Sequence, residues 1–346
     1  MPLPLIIGAA ALVTAAYGAK KGYDGYQKHS EADDIVKDAK YRYERKKNSF
    51  DEKEKETTLA LDLLGKKELE IGGSIGEFKT LADALLKKLN SGRKNKLDIS
   101  IPKHKLQKIE DYSYTAVGVM GAAMGAGAAG AAAGFAIYGG VMALGAASTG
   151  TAISALSGAA ATKATLAALG GGSLATGGLG IAGGTAILGA AVAAPVLAIA
   201  GWAYDSHGEE ALKNARKASN EVSLAIEKMD RAHQQLEDTI DYSQKIKRSL
   251  VSIFGQFQKY FDELKSVNAF LEDVKGRGID VDSELEKLGG DVIRVIENGY
   301  ALASILVDVI TTPLFKLKKI NGEVVRNGDG VPEMEKDADG SMILNG

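Results

Sequence analysis

The 346-residue chain has no cysteine, one tryptophan, six prolines and four histidines. Without cysteine there are no disulfides, thiolate metal sites or cysteine nucleophiles, and the composition fits a reducing compartment. The histidines His29, His104, His207 and His233 stand far apart, with no H-E-x-x-H or comparable ligand spacing, so no metal is expected. No G-x-x-x-x-G-K-[ST] segment occurs, which removes a P-loop nucleotide site. A net charge of −2 lacks the basic excess of a general nucleic-acid binder. The sharpest deficit is of charge itself. Residues 112–204 are 93 consecutive positions with a single formal charge, Lys163, and they hold half of the 42 glycines.

An uncharged stretch of that length belongs inside protein, inside lipid, or in passage between the two. It divides into an apolar segment at 116–147, a milder one at 148–169 that carries Lys163, a turn at Gly170-Gly171-Gly172-Ser173, and a second apolar segment at 174–204. This order predicts a helical hairpin. Gly121 and Gly125, Gly130 and Gly134, and Gly180 and Gly184 are GxxxG pairs among alanines. In lipid, such small residues let helix backbones approach closely and so dominate helix–helix interfaces. Lys163, in the connector, suits a headgroup surface or the lining of a polar channel. Large aliphatics favour insertion by only about 0.3–0.6 kcal/mol each, and the block is mostly Ala and Gly. Insertion is therefore near balance, as suits a segment that is sheltered first and inserts later. The alternative is a buried Ala/Gly core within a soluble bundle.

The flanks are charged and helical in pattern. Residues 3–19 form an uncharged apolar run followed by Lys20 and Lys21. It has no basic n-region, so cleavage is not expected, and it either spans as a short anchor or packs on the central block. Ser30 is placed to cap a helix. Gly72-Gly73 reads as a break, before a second helix at about 75–89 with Phe78, Leu81, Leu85 and Leu89 on one face. Residues 97–101 alternate like a short strand, and Pro102 opens a further helix. Over 207–275, residues such as Leu212, Ala215, Val222, Ile226, Met229, Leu236, Leu250, Phe257 and Leu264 keep a near-heptad spacing, with His233, Ser243 and Lys247 as exceptions. This predicts a coiled-coil-like helix, bent at Gly255 and stopped at Gly276 and Gly278. A helix at 282–315 follows, ending near Pro313, and then a polar Gly/Asp/Asn tail.

Two literal G-x-G-x-x-G matches, Gly125 to Gly130 and Gly178 to Gly183, are followed by no carboxylate before Asp205, and the dinucleotide fingerprint also needs a preceding strand, so neither is read as a nucleotide site. Asp337-Ala338-Asp339-Gly340 resembles the start of a calcium loop without the glutamate at position twelve. No catalytic constellation stands out, so the expectation is a protein with no enzymatic activity and no cofactor.

The run from Ala147-Ser148-Thr149-Gly150 to Ala159-Ala160-Ala161, continuing to Gly170-Gly171-Gly172-Ser173-Leu174-Ala175, is distinctive together with Met1-Pro2-Leu3-Pro4. It resembles a group of poorly characterised bacterial glycine-zipper proteins, some of them labelled as chemotaxis-receptor-like. In pattern the chain is also similar to helical pore-forming toxins and apolipoprotein-L-like channel proteins. The first resemblance implies charged helices around a glycine-rich apolar centre, and it supplies no activity or functional residues.

The expected fold is all-α, with long coiled-coil-like helices flanking a Gly/Ala-rich apolar hairpin. The expected domains are an N-terminal segment at 1–22, a charged helical region at 23–111, the insertion block at 112–204, a long helical region at 205–320 and a disordered tail at 321–346. The expected function is a membrane-associated protein that inserts the hairpin into a bilayer as an oligomer, to permeabilise or remodel it. The expected partners are the lipid bilayer and further copies of the chain, not nucleic acid, and the expected place is the cytoplasmic face of an inner membrane, with a soluble state. The alternative is a constitutive membrane-anchored coiled-coil scaffold without pore activity.

Overall fold

A computed structural model describes residues 22–90, 99–126, 132, 135–137, 208–325, 333–338 and 342–345. The described part is all-α in class, 84% helical with few strands. Most of it lies in four helices, α1 (Gly22–Leu89), α2 (Lys103–Ala126), α3 (Gly208–Gly276) and α4 (Val281–Ile310), and residues 132 and 135–137 are helical as well.

α1 runs 68 residues without a break. Ser30 lies inside it rather than at its start, and Gly72-Gly73 does not interrupt it. Its surface is laced with pairs four residues apart, such as Lys66 with Asp62 at 2.7 Å and Lys79 with Asp83 at 2.8 Å; such pairs each stabilise a helix by about 0.2–0.5 kcal/mol. Burial repeats every seven residues through Tyr43, Phe50, Thr57, Leu64, Ile71, Phe78 and Leu85.

α3 shows the same period. Ala215, Val222, Met229, Leu236, Ser243, Leu250, Phe257, Leu264 and Leu271 are all buried. Ala211 before them, and Ala218, Ala225 and Ala232 between them, are also buried, whereas Leu212 and Ile226 are only half-buried. Ser243, an expected exception, belongs to the stripe and donates to the Ile240 carbonyl at 2.8 Å. The helix passes through Gly255. It ends where expected, with Gly278 at φ 73 and bonds from Gly278 N to Lys275 O and from Ile279 N to Val274 O, a Schellman cap. Asp280 then caps α4 by accepting from Asp282 N at 3.2 Å. α4 stops at Ile310, three residues before Pro313.

Two compact units cut across the compositional regions: residues 1–55 with 188–237, and residues 56–187 with 238–346. In the first, α1 and α3 run parallel. Glu31 meets Arg216 at 3.3 Å, Arg42 donates to Ser219 at 2.9 Å, and Lys53 meets Glu237 at 3.6 Å. Lys46 pairs with Asp230, and both it and Lys53 find partners 184 positions later. One buried cluster here is of small residues, Ala32, Ala211 and Ala215, with Ile35, Val36 and Leu212 packed against it.

In the second unit the α1 and α3 stretches are again parallel, with Lys88 and Glu272 4.0 Å apart. α2 and α4 run the other way beside them. α2 descends along α1, since Lys79 meets Glu110 while Tyr112 reaches Glu68. It is parallel to α4, through Ser100 N to Glu297 at 2.8 Å and Lys108 to Asp308 at 2.6 Å. The centre is aromatic. The Phe78 ring packs edge-on against Phe257, Phe261 and Tyr300, with centroids 5.2–5.9 Å away.

Two expectations change at the ends of this unit. The described residues of the expected 97–101 strand, 99–101, form no strand; Ser100 instead ties to α4. At the start of the expected disordered tail, β2 (Glu323–Val324) pairs with β1 (Lys319–Ile320), which just precedes the tail, about a turn with Gly322 at φ 85. Bridges also join Phe315 to Leu344, Leu317 to Met334 and Lys336 to Met342. Leu314, Phe315, Met334 and Met342 are buried, and Tyr242 of α3 donates to the Asn345 carbonyl at 2.7 Å. Leu314 and Phe315 are neighbours in sequence but Met334 and Met342 lie far from them, and the bridges draw these segments together where all four are buried.

Candidate functional site at the seat of the uncharged block

The uncharged block begins inside α2, at Tyr112, and its first turns rest on α1. Glycines on α1 make this possible. A Cβ on Gly72 would overlap the Ala116 methyl and lie 3.1 Å from Tyr112 Cε1. A Cβ on Gly65 would overlap the backbone carbonyl of Ala132, and one on Gly73 would lie 2.8 Å from Met120 Cε. Gly76 has more room, with Ser113 Cβ 3.6 Å from the position of a Cβ. Seven residues separate Gly65 from Gly72 and four separate Gly72 from Gly76, so they fall along one side of the helix. Tyr112, Ala116, Ala132, Phe135, Ala136 and Ile137 are buried. The hydroxyls of Ser113 and Thr115 turn back to the carbonyls of Glu110 and Asp111 at 3.0 and 2.8 Å. At these residues the block is buried in protein.

Glu68 sits in the middle of this seat. It is three residues after Gly65 and four before Gly72, and therefore on the same side of α1. It is 3% exposed, and Oε2 has no hydrogen-bond partner among the described residues. Tyr112 donates to the Glu68 backbone carbonyl at 2.6 Å, not to the carboxyl group. Burial pushes this carboxyl well above the usual carboxylate range, because the charged form loses its water. The group can hold a proton where an ordinary glutamate would have lost it.

A second polar cluster is structural. Asp83 accepts from Lys79 at 2.8 Å and from Tyr300 at 3.3 Å, and Lys79 also reaches Glu110 at 3.7 Å. Burial raises the Tyr300 phenol, and the bond to Asp83 raises Lys79. The cluster ties α1, α2 and α4 together. Among the described residues no group of three or more His, Asp or Glu is placed to hold a metal ion.

Of the residues singled out from sequence, Gly121 and Gly125 lie on α2, whose backbone is helical there. Gly130, Gly134, Gly180, Gly184 and Lys163 lie outside the described residues. The described glycine contacts are instead made by Gly65, Gly72, Gly73 and Gly76 in the charged helix, and by Gly299 of α4 under the Phe78 ring. Their signal in the sequence was the same small-residue spacing, Gly72-x-x-x-Gly76, embedded in charge. Glu68 carries no sequence signal except its heptad place between Leu61 and Ile75. Among the described residues no helix is long and apolar enough to cross a membrane. Comparison with protein-family models, curated proteins and solved structures finds no match for this chain.

Proposed function

We propose that this protein is a membrane-active helical protein. It carries the uncharged block against α1 and delivers it as a glycine-zipper hairpin into a bilayer, which it permeabilises or remodels. One observation carries this reading: the block's first turns are seated on glycines around a buried carboxyl with an unpartnered oxygen. A fit this close excludes water from the block, while an unsatisfied buried polar group costs about 1–3 kcal/mol. The docked state is therefore close-fitting yet penalised, as suits a segment that must later leave. The inserting residues are those of 116–204, most of which lie outside the described set.

Insertion is as an oligomer, with Gly121, Gly125, Gly130, Gly134, Gly180 and Gly184 supplying the close contacts between helices and Lys163 kept at a polar surface. Replacing several of these glycines with Leu abolishes cross-linked oligomers in liposomes; unchanged assembly counts against the small-residue interface. The parallel α1–α3 pair acts as a coiled coil that shelters the block, and the working place is the cytoplasmic face of an inner membrane. The likeness in pattern to bacterial glycine-zipper proteins points the same way.

The second reading is a membrane-anchored scaffold. It draws on the heptad burial of α3, sustained from Ala215 to Leu271, which suits a rigid docking rod. Dye release from liposomes, run beside carbonate extraction of cell membranes, separates the two. Release by purified protein supports insertion and leakage. Carbonate-resistant residence without release supports the scaffold, and a protein that does neither removes both.

A further inference from the structure

We infer that Glu68 is a proton-operated latch: with its carboxyl neutral the first turns of the uncharged block stay seated on α1, and with it ionised they lift away. The inference rests on the proposed delivery of the block and adds what controls it. The geometry is specific. Glu68 lies between the two glycines, Gly65 and Gly72, at which Ala132 and the Tyr112–Ala116 turn approach the α1 backbone. Oε2 is buried there without a partner.

Among the described residues the groups around it offer no substitute charge, and burial is what shifts its carboxyl. On α1 the neighbouring Lys67 is engaged with Glu70 at 2.9 and 3.0 Å and lies over the Phe254 ring of α3, 4.6 Å from its centroid. On α2 the facing titratable group is Tyr112, whose hydroxyl is spent on the Glu68 carbonyl. Beyond it Glu110 pairs with Lys79, and Asp111 accepts from Gln107. Asp308 of α4 is held by Lys108. Ala132, Phe135, Ala136 and Ile137 carry nothing that titrates. An ionised Glu68 thus gains neither a cation nor water while the seat is closed, so rising pH favours opening.

The test uses the full-length chain without lipid. Hydrogen–deuterium exchange of peptides from 103–126 is followed from mildly acidic to mildly alkaline pH, normalised to intrinsic exchange. In the wild type, normalised exchange rises with pH by up to about tenfold per unit and then levels, because the closed seat holds one proton more than the open one. Glu68→Gln, which keeps the shape and cannot ionise, gives a flat and protected profile, as does Glu68→Leu. Tyr112→Phe keeps the slope, which assigns it to the carboxyl. A flat wild-type profile, or Glu68→Gln with the wild-type slope, overturns the latch. Dye release at the same pH values separates this from the functional reading. Exchange that follows the latch without any release leaves the latch standing and removes delivery to membranes. Release whose pH profile Glu68→Gln leaves unchanged removes the latch and leaves delivery standing.

Discussion

At the scale of single residues, equal-looking glycines differ in what they do. Gly255 has open space around it, so Gly255→Ala stabilises by about 0.5–1 kcal/mol, the usual gain in a helix interior. Gly72→Ala forces a methyl into Ala116 and Tyr112 and lowers stability by about 1–3 kcal/mol, as overpacking does. Urea unfolding of the two variants checks the contrast; a neutral Gly72→Ala would mean that the seat is looser than described. Glu68 sets a pH dependence of opposite sign to that of most carboxylates. Its folded pKa is raised, so the folded chain keeps a proton that the unfolded chain has lost. Stability therefore falls as pH rises from the ordinary carboxyl range to the raised value, and is constant above it. Glu68→Leu removes this decline and adds about 1–3 kcal/mol near neutral pH, measurable by thermal melts over a pH series.

At the scale of elements, periodicity identified the helices and neighbours set their limits. The charged pattern of α1 made a helix plain in the sequence, but Gly72-Gly73 read as its break. The glycines are tolerated because α2 fills the space they open, and that partner begins 30 residues further on. In α3 the sequence favoured Leu212 and Ile226 over the adjacent Ala211 and Ala225, since large side chains dominate a hydrophobic pattern. Packing against a parallel neighbour chose the alanines. The aromatic centre carries the most energy in the second unit. Phe78→Ala removes a ring packed among Phe257, Phe261, Tyr300 and Gly299 and costs about 3–5 kcal/mol, read as a fall in the denaturation midpoint. By contrast, the half-buried pair of Lys53 and Glu237, 3.6 Å apart, is worth about 1 kcal/mol.

At the scale of the whole molecule, the two compact units differ in what fills them. The first is rich in buried alanines, Ala32, Ala39, Ala211, Ala215, Ala218, Ala225 and Ala232, with Tyr43, Phe50, Val222, Met229 and Leu236 as its larger side chains. A buried methyl group contributes about 0.8 kcal/mol, against about 1.5–3 for a Leu, Ile or Phe side chain. The second unit adds Phe78, Phe254, Phe257, Phe261, Tyr300 and the small C-terminal core. Amides of residues 30–50 and 212–232 should therefore exchange with solvent sooner than those of 75–85 and 254–264, by hydrogen exchange at one pH. Uniform protection along both helices would show that the alanine-lined pair is as stable as the aromatic one.

The sequence by itself determined the all-α class, the heptad period of the long helices, the stop at Gly276–Gly278 and the boundaries of the uncharged block. Each of these is written in local spacing, charge or backbone freedom, and needs no partner to be read. Only the tertiary structure decided that α1 and α3 run parallel, that the C-terminal residues build a small core, and that glycines of a charged helix seat the block. The same holds for Glu68. A glutamate in a charged helix looks solvated until a second helix, placed there by contacts distant in sequence, takes away its water.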